Sequence, residues 1–199
     1  MGFALSVVTF FPHSLTAQGA IAPAPSVCDT DGHVQFICMP APAEDLVPIP
    51  STDWILASSY GGKGGIQLVD SRHKTITALY PAAGAMDRFD HKTYDTCPGP
   101  LGIEAKAKFI THGLALGPPR DGRYTLYVVY HEERESVEAF ELDVRGRMPS
   151  LTWIGCAVAP PHVRLNSVVG LSDGRFIATK FRAHHGYPGF PARQHQASC

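Results

Sequence analysis

The chain has no segment fit to cross a bilayer. Its N-terminal apolar run, Phe3 to Phe11, falls well short of the roughly 20 residues a spanning helix needs, and no other segment reaches that length. Charge of neither sign is in excess. Lys and Arg number 17, Asp and Glu 18, and the formal net charge is -1. Without a basic stripe or a like-charged run, a nucleic-acid partner and an electrostatic tail are excluded. None of the five cysteines, Cys28, Cys38, Cys97, Cys156 and Cys199, belongs to a C-x-x-C pair, which argues against structural zinc and thioredoxin-type chemistry. Helical periodicity is also lacking, and the spacing of apolar segments is too tight for βαβ units.

What is present points to export and to strands. Small residues around Ala17–Ala20 follow the apolar N-terminal run, so residues 1–20 resemble a secretory signal, although Lys and Arg are missing from its start. Residues 21–37, opening with an Ala-Pro-rich stretch, read as a linker. The expected location is therefore secreted or periplasmic, a setting in which one or two disulfides would persist. Cys28 and Cys38 are the nearest pair, yet spacing leaves the connectivity open, and Cys38 and Cys156 also suit buried thiols. The composition is 44% hydrophobic and 18% charged, with 19 Gly and 17 Pro. That suits a folded, turn-rich, all-β chain. Short strands are expected at 54–59, 66–70, 75–80, 108–116, 124–131, 137–144 and 151–159, then two more within 163–180. Residues 81–107, rich in Pro, Gly and Asp, read as a long surface loop. A loose repeat of apolar strand, Asp-bearing turn and apolar strand begins at Leu46, Leu114 and Val168. Such repeated hairpins are the grammar of a propeller's inner strands.

Three polar sites precede or open a repeat: Glu44-Asp45 in "PAEDLVPIP", His112 in "ITHGLAL" and Asn166 in "RLNSVVGL". A fourth, His131, ends "LYVVYH". Each alone also suits a turn or a capped strand. In a propeller, however, the starts of inner strands converge on the central channel. A carboxylate, an amide oxygen and a histidine meeting there suggest a hard-cation site beside a proton-transfer group. Glu44 and Asn166 would give calcium two of its oxygens, and the ion would polarise a carbonyl. His112 would take a proton from the attacking water, and His131 would orient it.

The segments "AEDLVPIPSTDWILASS", "THGLAL", "TLYVVYHEERESVEAFELD" and "LNSVVGLSDGRFIATKF", in this order and spacing, resemble the gluconolactonase/paraoxonase-like family of six-bladed calcium propellers, more distantly related to strictosidine synthase. The resemblance spans about residues 38–182. It implies hydrolysis of a small-molecule lactone or ester at a channel-bound Ca2+, or another divalent cation. By that similarity Glu44 and Asn166 would ligate the catalytic calcium, and Asp45 with the Leu114 backbone oxygen a second, structural one. His112 and His131 match the paired histidines proposed as water activators in paraoxonases. Two departures stand out. Ser167 replaces the Asp that follows the family's Asn, which weakens the structural calcium, and Tyr130 replaces the Asn before His131.

A six-bladed ring needs roughly 250–300 residues of blade. Residues 38–182 are accordingly expected to form two to three blades, a partial β-propeller with open edges through which copies could associate. Residues 183–199, crowded with His, Gly, Pro, Arg and Gln, read as a disordered or non-native tail. A lactonase or esterase so truncated would be inactive or impaired. A non-catalytic ligand-binding propeller is the competing expectation, because fold does not settle chemistry.

Overall fold

The computed structural model describes residues 32–61, 64–83 and 85–181. The expected signal, most of the linker and the expected tail lie outside them. The chain divides into two units, residues 1–36 and 37–199. Of the first, residues 32–36 are described, and their Val34 and Phe36 are exposed.

The second unit is all-β, as its composition and alternation require. Its first sheet is an antiparallel meander of β1 (Ala43–Pro48), β2 (Trp54–Ser59), β3 (Gly65–Asp70) and β4 (Thr75–Tyr80). The second sheet repeats the meander with β6 (Thr111–Leu116), β7 (Arg123–Tyr130), β8 (Ser136–Asp143) and β9 (Ser150–Val158). A short parallel strand, β5 (Met86–Asp87), extends it beside β9. The hairpin of β10 (Leu165–Gly170) and β11 (Phe176–Lys180) follows. No sheet closes into a barrel. Among the described residues no helix is long and apolar enough to cross a membrane.

Strand β7 shows how sequence becomes packing. Along "YTLYVVY" successive side chains point to opposite faces. Leu126, Val128 and Tyr130 join Leu56, Ile66, Leu68, Tyr80 and Phe140 in one core, against the first sheet. Tyr127 and Val129 join Leu165, Val168, Phe176 and Ala178 in another, against the hairpin. A strand covered on both faces loses its polar alternation and reads as a continuous apolar run.

The stretch 81–107 is not the surface loop its composition suggests. Cys97 and Leu101 are buried in the first core, Met86 and Asp87 pair with Thr152 and Trp153, and Ile103–Ala107 forms a short helix, α1. The reason is covalent: Cys97 is bonded to Cys156 on β9. Cys38 is disulfide-bonded as well, so neither Cys38 nor Cys156 is a buried free thiol. Cys28 lies outside the described residues.

Candidate functional site

The three first strands share one irregularity. In β1 the pairing steps from Ala43↔Ser59 to Leu46↔Ala57. In β6 it steps from Thr111↔Tyr130 to Leu114↔Val128. In β10 it steps from Leu165↔Lys180 to Val168↔Ala178. Each first strand spends one residue more than its partner, which is a β-bulge. The bulged pairs are Glu44-Asp45, His112-Gly113 and Asn166-Ser167. The backbone repeats just outside them, where Tyr60, His131 and Phe181 donate N–H bonds to the carbonyls of Pro42, Ile110 and Arg164 (3.3, 3.1 and 2.6 Å). Glu44, His112 and Asn166 are thus one structural position occurring three times, and Tyr60, His131 and Phe181 are another. Bulges re-aim side chains, and here they turn polar groups out of three strands that lie side by side. Gly113 permits the approach, since a Cβ there would sit 2.6 Å from the Ser167 Cα and 3.0 Å from the Asn166 carbonyl oxygen.

His112 is the hub of what results. Its Nδ1 lies 3.2 Å from Asn166 Oδ1, and its Nε2 lies 3.5 Å from Glu44 Oε1. The His131 ring meets it edge-on at 4.9 Å between centroids. Tyr60 packs edge-on against both, at 4.7 Å from His112 and 6.2 Å from His131. The His112 side chain is 14% exposed and that of Glu44 41%, so the cluster opens to solvent on the Glu44 side. His131 is held from behind by Glu135, whose carboxylate oxygens lie 2.9 and 3.0 Å from Nδ1. Burial pushes the His131 imidazole below its ordinary pKa. Glu135 opposes that, while His112 and Arg164 add to it. Burial thus favours the neutral form of the His131 ring.

Asp45 works on the backbone. Its Oδ2 accepts the Leu114 N–H at 2.8 Å, its Oδ1 accepts the Leu46 N–H at 2.9 Å, and its own N–H donates to Ser58 Oγ at 3.0 Å. It ties β1 to β6 at the level of the site, and it meets Leu114 through the amide nitrogen. All six sequence-selected residues, Glu44, Asp45, His112, Leu114, His131 and Asn166, therefore sit on or beside the bulges. Tyr60 and Glu135 complete the cluster without a local signal in the sequence. Tyr60 would follow from laying "ASSY" over "VVYH", which requires the second hairpin to be three residues longer than the first. Glu135 is hidden in the charged run Glu132–Glu135, which reads as a solvated turn.

Calcium takes roughly six to eight oxygen ligands. Glu44 and Asn166 offer oxygens of the right kind, and the Asp45 carboxylate is committed to two amides. Among the described residues no group of three or more His, Cys, Asp and Glu side chains is placed to hold a metal. The two side chains match calcium in kind and would supply two of its oxygens, the others coming from backbone carbonyls or water. The chain matches no protein-family model and no curated protein.

Proposed function

We propose that this cluster is a hydrolytic centre for a small lactone or ester, set on consecutive blades of a propeller of the gluconolactonase/paraoxonase kind and working in an exported protein. The observation that carries the reading is the placement of His112 between Asn166 and Glu44, delivered by three equivalent bulges. Two four-stranded meanders followed by a hairpin with the same register support the propeller reading.

The chemistry follows from proton placement. An amide oxygen can only accept, so His112 carries its proton on Nδ1 toward Asn166 and presents Nε2 as the basic nitrogen. A water beside Nε2 gives up a proton as its oxygen adds to the substrate carbonyl carbon. The imidazolium so formed faces the Glu44 carboxylate at 3.5 Å, which stabilises it as the transition state develops. The proton then passes to the alkoxide oxygen as the acyl C–O bond breaks, leaving acid and alcohol, joined in one molecule when the substrate is a lactone. His131, held from behind by Glu135, keeps the His112 ring edge-on.

Hydrolysis of simple lactones and aryl esters tests this directly. His112→Gln keeps a donor and loses the base, and turnover is expected to fall by roughly 10²–10⁴-fold. Equal turnover by wild type and variant sinks the proposal. Saturable binding without turnover supports the non-catalytic reading instead.

Calcium, or another divalent cation, would be held in this reading by the Glu44 and Asn166 oxygens, with water completing its shell. Two side-chain oxygens give weak binding, and weak binding adds little stability by mass action. Millimolar calcium is therefore expected to leave the melting temperature of this chain unchanged in a thermal-shift assay. A clear calcium-dependent rise would show that the donor set is larger than Glu44 and Asn166.

A further inference from the structure

We infer that Glu135 is the positioning residue of this site: its one carboxylate fixes the tautomer of His131 and docks the strand that carries Asn166. The geometry is a fork. Glu135 Oε1 accepts the Leu165 N–H at 2.6 Å and lies 2.9 Å from His131 Nδ1, while Oε2 lies 3.0 Å from the same nitrogen. An ionised carboxylate only accepts, so His131 bears a proton on Nδ1, and in the neutral ring, which burial favours, the lone pair is on Nε2. With the side chain of His131 only 5% exposed, water has little access to replace that bond. Leu165 directly precedes Asn166, whose Oδ1 faces His112, and the His112 ring returns to His131. The circuit from Glu135 through Leu165, Asn166, His112 and His131 closes on itself. One side chain thereby places both histidines.

The groups facing His131 are Glu135, the His112 and Tyr60 rings and, farther off, Arg164, whose Nε lies 3.9 Å from Glu135 Oε2. Of these, only Glu135 accepts a hydrogen bond from Nδ1. The catalytic value of the lock rests on the hydrolytic reading. The lock itself does not, so it is tested without an activity assay.

Two-bond 1H–15N correlation spectra of the histidine rings near neutral pH report the tautomer, and amide exchange reports the strand. In the wild type, His131 is expected to show a protonated Nδ1 and a bare Nε2. Glu135→Ala is expected to populate the Nε2–H form and to speed exchange of the Leu165 amide about ten- to a hundredfold, the measure of a lost charge-assisted hydrogen bond. Glu135→Gln, whose amide oxygen can accept both donors, is expected to restore the wild-type pattern. An Nε2–H tautomer in the wild type overturns the inference by itself, and needs no variant to fold. Unchanged tautomer and exchange in Glu135→Ala overturn it as well. Loss of hydrolysis on His112→Gln, or its persistence, leaves these results standing.

Discussion

Replacing Glu138 by Ala is expected to cost about 3–5 kcal/mol, the range for breaking a buried ion pair by removing one partner. Glu138 is fully buried and the Arg134 side chain is 10% exposed. The carboxylate accepts Arg134 Nε and Nη2, both at 2.8 Å, Ser136 Oγ at 2.6 Å and Trp153 Nε1 at 2.7 Å. Four donors lose their acceptor at once, two of them on a guanidinium that cannot shed its charge. Glu138→Gln should cost less, because its oxygen still accepts, although its amide N–H groups then face other donors. Arg134→Ala strands the carboxylate instead. The double variant should therefore be less damaging than the two single losses added together. Denaturant midpoints of the four proteins measure this. A loss under about 1 kcal/mol for Glu138→Ala would show that water enters and replaces the carboxylate, a result at odds with its burial.

The same network shows what sequence can and cannot carry. In "ESVEAFELD" the alternation was legible, so β8 was placed to within a residue. But alternation assigns Glu138 only to one face of the strand. It is the Trp153 N–H, fifteen residues away on β9, that makes this face a place for a carboxylate. The three repeat starts, Leu46, Leu114 and Val168, were legible because turn chemistry recurs ahead of apolar strands. The residues before them could be picked as a set. The bulges could not, because a bulge is a mismatch between two strands, and neither strand shows it alone. For the same reason Tyr60 was missed: its partner is His112, fifty-two residues on, and nothing local to "SSYGG" asks for an aromatic ring. Glu135 was missed because four charged residues in a row, Glu132 to Glu135, look alike. Only the proximity of His131 and Leu165 singles out the one that turns inward.

The segment 81–107 failed most plainly, and the cause is a bond whose partner sits 59 residues away in sequence. In the chain-entropy treatment, closing a loop of that length stabilises the fold by about 4 kcal/mol. Cys97→Ala is expected to remove that amount, seen as a lower denaturant midpoint. Cys156→Ala should remove nearly as much, and the double variant little more than either, because all three break one bond. The substitutions leave the bond at Cys38 intact, which a reductant would not. The loss should be uneven. Arg134 Nη1 also holds the segment through the Gly99 carbonyl at 2.8 Å, and the segment's own Leu101 is buried in the first core. Residues 86–101 should therefore gain hydrogen exchange before the β7–β8 ladder does. Small, additive losses from the two single variants would mean that packing alone holds the segment. A full, non-additive loss would make the fold dependent on an oxidising environment, since such a bond forms and persists only there.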